Sequence, residues 1–146
     1  MSPLAPASYT DSFAHGFDAK GRITVPSEWR QPGFEESLFV FPSADRCLKV
    51  YPASWLGRLQ EKVSSLKTAD PQRKGVENLA TTAQSATLDT QGRIMVREKL
   101  REGASLKKEA MMVGCLDHFE IWDKSAWEKK DIAEMTLEEA LSAIGL

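Results

Sequence analysis

The stretch that decides the fold is FDAKGRITVP, residues 17–26, which returns in altered form as LDTQGRIMVR at residues 88–97. Both copies contain an aspartate, two variable residues, a glycine and an arginine, followed by an apolar run. An aspartate can accept hydrogen bonds from turn amides, and glycine supplies the left-handed conformation, so each copy predicts a tight β-hairpin. A turn has no need of the arginine. Its presence in both copies of this DxxGR motif therefore points to a function beyond the turn.

The repeat extends past the motif. Several arginine, apolar and aromatic positions recur at an offset of 71 residues. The matched pairs are Arg30 and Arg101, Leu48 and Phe119, Val50 and Ile121, and Tyr51 and Trp122. A unit of about 70 residues is marginal as an independent domain, because it buries only roughly 60% of the surface of its unfolded chain. We therefore expect the two halves to pack on each other or on further subunits.

Periodicity divides the chain into four parts. Alternating apolar positions and proline stops predict two β-rich modules: module 1, residues 12–55, and module 2, residues 83–127. Between them, residues 56–82 are predicted to form a helical spacer, and residues 128–146 a C-terminal helical tail.

Two capping patterns support these helices. Asp70 followed by Pro71 is typical of an N-cap and first helical position, for a helix that reaches about Thr82. Thr136 with Glu139 is a capping-box pattern for the last helix.

The charge is uneven along the chain. The net charge is −2, but residues 91–108 carry six basic and two acidic side chains, a net of +4. Residues 117–146 carry eight acidic side chains and three lysines, a net of −5. Local charge decides what a surface attracts, so a polyanion is expected to bind near the second motif and to avoid the tail.

Several classes of protein are disfavoured. No segment approaches the ~20 apolar residues that span a membrane, and residues 1–7 lack the features of a secretory signal. Cys47 and Cys115 suit a reduced cytoplasmic protein, and with His15 and His118 they lack the spacing of common zinc motifs, so neither metal nor cofactor is predicted. No P-loop, nucleophile elbow or GxGxxG marks an enzyme.

The tryptophans admit two interpretations, base stacking and packing. They are Trp29, Trp55, Trp122 and Trp127, and their apolar periodic positions favour packing in the core or between subunits.

Arginines after two turns suit DNA recognition. Arg22 and Arg93, held by Asp18 and Asp89, would present guanidinium forks that fit phosphate or the O6 and N7 atoms of guanine. Lys20 would add a phosphate contact. Weaker candidates for the same surface are Arg97, Lys99 and Arg101, which follow the second motif.

The segments DAKGRITVP, LKVYP, DTQGRIMV and VGCLDHFEIWDKSAW, in this order and with a helical spacer, resemble the MraZ family of bacterial transcriptional regulators. The resemblance covers roughly residues 12–129. It implies an α+β fold of tandem SpoVT-AbrB modules, each half of a swapped-hairpin β-barrel, related by a pseudo-twofold axis.

The resemblance also implies a function. Such proteins assemble into homo-oligomeric rings and bind short repeated sites on double-stranded DNA in the promoter of their own division and cell wall gene cluster, which places them at the cytoplasmic nucleoid. The motif positions that would face DNA are Asp18, Gly21, Arg22, Asp89, Gly92 and Arg93, with Lys20 at the lysine common in the first motif. The chain departs from the family pattern at Arg97, which stands where a proline commonly follows this strand, and in its longer N-terminal leader.

Two alternatives stay open at this point. In the first, the protein is a structural or protein-binding oligomer whose arginines pair with acidic surfaces such as the tail. In the second, it is a small enzyme that uses an aspartate–arginine pair at a subunit interface.

Overall fold

A computed structural model describes residues 7–130 and 134–146. Module 1 and the spacer form strands β1 (Ser12–Gly16), β2 (Arg22–Thr24), β3 (Ser37–Pro42) and β4 (Leu48–Pro52), then helices α1 (Ala53–Ser64) and α2 (Pro71–Thr82). A single 3-10 turn, Ser27–Trp29, follows β2. Module 2 and the tail form β5 (Gln84–Thr87), β6 (Arg93–Met95), α3 (Glu98–Gly103), β7 (Glu109–Gly114), β8 (Phe119–Asp123), α4 (Lys124–Glu128) and α5 (Leu137–Ala143).

The strands form two antiparallel sheets. The larger has six strands in the order β1-β7-β8-β4-β3-β5, and the smaller is the ribbon β2-β6. The first strand of each module therefore pairs with the other module: β1 with β7, and β5 with β3. Neither module has its full set of strand partners without the other, as expected for units too small to bury a core alone.

The core lies where the two modules meet. Strands β4 and β8 pair at the middle of the large sheet, with Val50 opposite Phe119 and Leu48 opposite Ile121. All four of these side chains are buried. Trp29 joins them, with its ring stacked 4.9 Å from that of Phe119. Burying each large apolar side chain contributes roughly 1.5–3 kcal/mol, so this seam holds the modules together.

The packing interpretation of the tryptophans holds for two of them. Trp29 and Trp122 are only 2% and 6% exposed, so their rings are not available for base stacking. Trp55 is half-buried and stacks on Tyr51 at 3.9 Å.

The predicted turns are present, but the strands on either side of each turn do not pair with each other as a hairpin would. β1 and β2 are joined by one bridge, Phe17 to Ile23, and then diverge to different partners. The reason lies in burial: Ile23 and Val25 are each 1% exposed, and β2 reaches that burial by pairing with β6 of the other module.

The caps predicted from sequence fix two helix starts. The Asp70 carboxylate accepts a hydrogen bond of 2.8 Å from the N–H of Gln72 at the start of α2. The Thr136 hydroxyl accepts one of 3.2 Å from the N–H of Glu139 at the start of α5. The spacer helices are 12 residues each and bury no side chain fully.

The α+β class is confirmed. Within the described residues, 7–130 and 134–146, the large sheet is open, with β1 and β5 as its edges. Closure into a barrel therefore stays a prediction. In the same residues, none of the helices combines the length and the apolar character needed to cross a bilayer.

Candidate nucleic-acid interface

The first DxxGR turn is closed by its aspartate. One oxygen of Asp18 accepts hydrogen bonds of 2.9 Å from the backbone N–H groups of Lys20 and of Arg22. The other oxygen accepts a 2.7 Å bond from Nε of Arg22. Gly21 stands between them at φ +81°, a conformation that side chains with a Cβ rarely adopt. One carboxylate thus shapes the turn and orients the arginine that follows it.

The second turn has the same geometry. Asp89 accepts bonds of 2.9 Å from the N–H groups of Gln91 and Arg93 and from Nε of Arg93. Gly92 has φ +76°. The same three hydrogen bonds recur in both turns, so the motif specifies an arginine that is held through Nε by an aspartate.

The two turns lie side by side across the β2-β6 ribbon. Ile23 pairs with Ile94 at its centre, and both are almost fully buried. On either side, the N–H of Val25 donates to the carbonyl of Gly92, and the N–H of Val96 donates to that of Gly21, both at 2.9 Å. Residues 71 positions apart in sequence therefore share one surface.

A charge contact also crosses between the turns. Nη1 of Arg93 lies 3.9 Å from the Asp18 carboxylate, which already holds Arg22. Arg22 and Arg93 remain 28% and 25% exposed, so both guanidinium groups are reachable from solvent.

The pKa values of the two turn aspartates, Asp18 and Asp89, are lowered, which favours their charged form. Hydrogen bonds from the backbone N–H of Arg22, and then from its guanidinium, lower the pKa of Asp18, and Arg93 lowers the pKa of Asp89 in the same way. Because the folded-state pKa lies below the ordinary value, the stabilisation is present at neutral pH and is lost as pH falls through that lowered pKa.

Two further arginines complete the site, and sequence reasoning gave one of them no role. Arg30 of module 1 lies over Gly92, where an added Cβ would come within 2.6 Å of its Cζ. Arg101 of module 2 lies over Gly21 in the same manner, at 2.9 Å from its Nη2. Each is anchored through Nε to a carbonyl of its own module, Arg30 to Val25 at 2.8 Å and Arg101 to Val96 at 2.9 Å.

The signal for Arg30 is present in the repeat. Arg30 and Arg101 are a matched pair at the 71-residue offset, but which turn each one contacts cannot be read from a single chain. Each contacts the turn of the other module.

Part of the basic segment lies beside the first motif. It follows the second motif in sequence, yet Arg101, Lys107 and Lys108 line a depression beside Phe17 and Asp18 of the first. The cause is the exchanged pairing of β1 with β7, in which the Phe17 N–H donates to the carbonyl of Lys108. The depression beside the second motif is instead bordered by Glu35 and Glu36.

The remaining candidates are dispersed. Lys20 is exposed in the first turn. Arg97 and Lys99 are exposed at the start of α3 and line a separate cleft with the end of α2 and the β3-β4 turn. The sequence offered Arg97, Lys99 and Arg101 as candidates for one surface, whereas in the structure Arg101 lies over the first turn and the other two line the separate cleft.

The sequence matches the family model described as "MraZ protein, putative antitoxin-like" twice, over residues 9–78 and 79–143. The chain belongs to the MraZ family. Each match contains one DxxGR turn, so the family's repeat unit coincides with the duplication seen in the sequence.

Relatives from several bacteria resemble the chain over most of its length. "Transcriptional regulator MraZ" of Corynebacterium urealyticum is 37% identical over 123 residues, covering 84% of this chain and 85% of the relative. The protein of the same name from Corynebacterium jeikeium is 39% identical over 117 residues, covering 80% and 81%. That from Acetivibrio thermocellus is 32% identical over 139 residues, covering 92% and 96%. The MraZ chain is thus a transcriptional regulator and not an enzyme, which removes the interpretation of the aspartate–arginine pairs as catalytic.

Proposed function

We propose that this MraZ protein is a sequence-specific DNA-binding regulator, which acts on the promoter of its own division and cell wall gene cluster. The observation that supports this most is the pair of arginines, Arg22 and Arg93, each held by an aspartate on adjacent turns of one ribbon. The names of the relatives describe transcriptional regulators, and regulation by DNA contact is the mechanism that this surface fits.

In this proposal Arg22 and Arg93 read bases. Nε of each is engaged by a carboxylate, and both side chains stay partly exposed, so their terminal nitrogens are available to donate to O6 and N7 of guanine. Holding the side chain in place before binding reduces the entropy lost on binding. Asp18, Gly21, Asp89 and Gly92 build the turns and present their backbone to the DNA.

Phosphate contacts come from the surrounding cations. Lys20 lies inside the first turn, and Lys107 and Lys108 line the adjacent depression. Such contacts add affinity that depends on salt and carry no sequence information.

The other arginines and Lys99 have different roles in this proposal. Arg101 and Arg30 act mainly by packing against the turns and holding them in place. Arg97 and Lys99, in the separate cleft, contact phosphates further from the turns.

Assembly completes the proposal. We infer that the exchanged strands close into a swapped-hairpin barrel with pseudo-twofold symmetry, and that several copies form a ring whose subunits bind repeated promoter elements. Linked weak contacts multiply in affinity. Support comes from the tail, where Leu137, Ile144 and Leu146 are 68%, 72% and 84% exposed and available for packing on another subunit. The place of action is then the cytoplasmic nucleoid.

Binding to labelled DNA from upstream of the gene, against a shuffled duplex, tests this function. At about 50 and 200 mM salt we expect preference for the native duplex at both concentrations, with weaker binding overall at the higher one. Arg22→Ala and Arg93→Ala should each reduce specific affinity by about 5–150-fold, which corresponds to roughly 1–3 kcal/mol per lost bidentate contact.

Arg58→Ala is the matched control, because Arg58 is an exposed arginine on α1, outside both motifs, and its loss should leave the affinity unchanged. Equal binding to both duplexes would contradict the proposal and favour the protein-binding alternative. Against that alternative, neither Arg22 nor Arg93 makes an ion pair with residues 134–146; their partners are Asp18 and Asp89.

A further inference from the structure

The turn between β7 and β8 gathers three side chains of metal-ligand type. Sγ of Cys115, an imidazole nitrogen of His118 and a carboxylate oxygen of Glu120 lie within 4.8 Å of one another, all half-buried. The turn is tightly closed: the N–H of Cys115 donates to the carbonyl of His118 at 2.8 Å, and Leu116 has φ +70°. A further anchor comes from Tyr9, which exchanges two backbone hydrogen bonds with Leu116.

The imidazole is oriented by a neighbouring carboxylate. Nδ1 of His118 lies 2.8 Å from Oδ1 of Asp117, while Nε2 faces Oε2 of Glu120 at 3.4 Å. Metal-binding histidines typically donate one ring N–H to a carboxylate, which fixes the tautomer and leaves the other nitrogen to the metal. The ring of Tyr51 stacks on His118 at 4.5 Å and covers one of its faces.

The carboxylate of Glu120 is oriented in the same way. Nε1 of Trp122 donates to Oε1 at 2.8 Å, which leaves Oε2 directed at His118. One group opposes cation binding: Nζ of Lys49 lies 3.7 Å from Oε2. This lysine has a second carboxylate at the same distance, Asp45, to which it can turn.

We propose that Cys115, His118 and Glu120 bind one divalent cation of zinc type, with water as the fourth ligand. A thiolate, an imidazole and a carboxylate are all zinc ligands, and the thiolate disfavours magnesium and calcium. In a tetrahedral site with bonds of about 2.0–2.1 Å, the nitrogen and oxygen ligands are separated by about 3.3 Å, close to the 3.4 Å between Nε2 and Oε2.

Sequence spacing did not reveal this site, because its third ligand is a carboxylate on the following strand. The expectation of no metal rested on the lack of close ligand spacing among the cysteines and histidines and of a carboxylate pattern beside them. The Cys-x-x-His-x-Glu group becomes a cluster only when the turn folds Cys115 back over β8.

The test is a Co²⁺ titration of the full-length protein after treatment with EDTA. We expect a thiolate-to-cobalt charge-transfer band that saturates at one ion per chain and disappears on addition of Zn²⁺. Cys115→Ser should abolish this band, whereas Cys47→Ser, which alters the other, fully buried thiol, should retain it.

A second variant tests the site without replacing a metal ligand. Asp117 is exposed, so Asp117→Asn should fold normally, keep the band and bind cobalt about 10–100-fold more weakly, since only the orienting carboxylate is lost. No band in the parent protein, or a band of equal strength in Cys115→Ser, would refute the site. Unaltered affinity in Asp117→Asn would refute the role of Asp117.

Discussion

At the scale of single residues, one aspartate in each turn carries out two tasks. Asp18 and Asp89 each accept two backbone N–H groups and one arginine Nε. The sequence was sufficient to predict this much, because the contacts lie within five residues. The contacts of Arg30 with Gly92 and of Arg101 with Gly21 could not be predicted, because they join opposite modules and depend on how the modules pair.

The glycines lead to a prediction at this scale. Gly92→Ala should destabilise the protein by at least about 1 kcal/mol, since alanine in the left-handed region costs roughly 1–2 kcal/mol and its Cβ would displace Arg30. Urea denaturation measures the change. Gly57→Ala is the control: it lies in α1 with nothing near its added Cβ, and should stabilise by about 0.5–1 kcal/mol. A Gly92→Ala protein as stable as the parent would contradict both the left-handed conformation of residue 92 and its close contact with Arg30.

At the scale of elements, starts and stops followed from local chemistry, whereas partners did not. Proline ends β3 and β4, and Asp70 with Pro71 begins α2, as predicted. The pairing of β1 with β7 was not predictable from the alternation of apolar residues, since a period of two shows which face of a strand is buried and not which strand lies beside it. The position of Lys107 and Lys108 beside the first motif depends on the same pairing.

The cap of α2 leads to a prediction for this element. Asp70→Ala should lower the free energy of unfolding by about 1 kcal/mol, because the Gln72 N–H loses its acceptor. Asp70→Asn retains a side-chain oxygen and should remain close to the parent in the same urea titration. Equal losses in both variants would mean that the charge of Asp70 matters and its hydrogen bond does not.

At the scale of the whole molecule, the two modules complete each other. Each first strand pairs with the opposite module, and Ile23 and Ile94 are buried against each other at the centre of the ribbon. The duplication was visible in the sequence, but the exchange was implied only by the resemblance to a family. Two modules folding separately would show the same internal repeat.

Unfolding should therefore be a single cooperative event. Tryptophan fluorescence, with reporters in both modules, and far-UV circular dichroism should give coincident urea transitions. Ile94→Ala should shift both together by about 2–5 kcal/mol, the usual cost of truncating a buried isoleucine. Two separate transitions, or a shift confined to one probe, would show that the modules are independent.

The contacts of Arg30 and Arg101 with the turns of the opposite modules constrain how this protein can change over evolutionary time. A duplicated gene segment usually leaves two copies that diverge freely, but here Arg30 rests on Gly92 and Arg101 on Gly21. A substitution that reshapes the turn in one half changes the contact of that turn with an arginine encoded in the other half. We therefore expect compensating changes to arise in the opposite copy, and we expect that exchanging one half for that of a relative requires exchanging the other half as well.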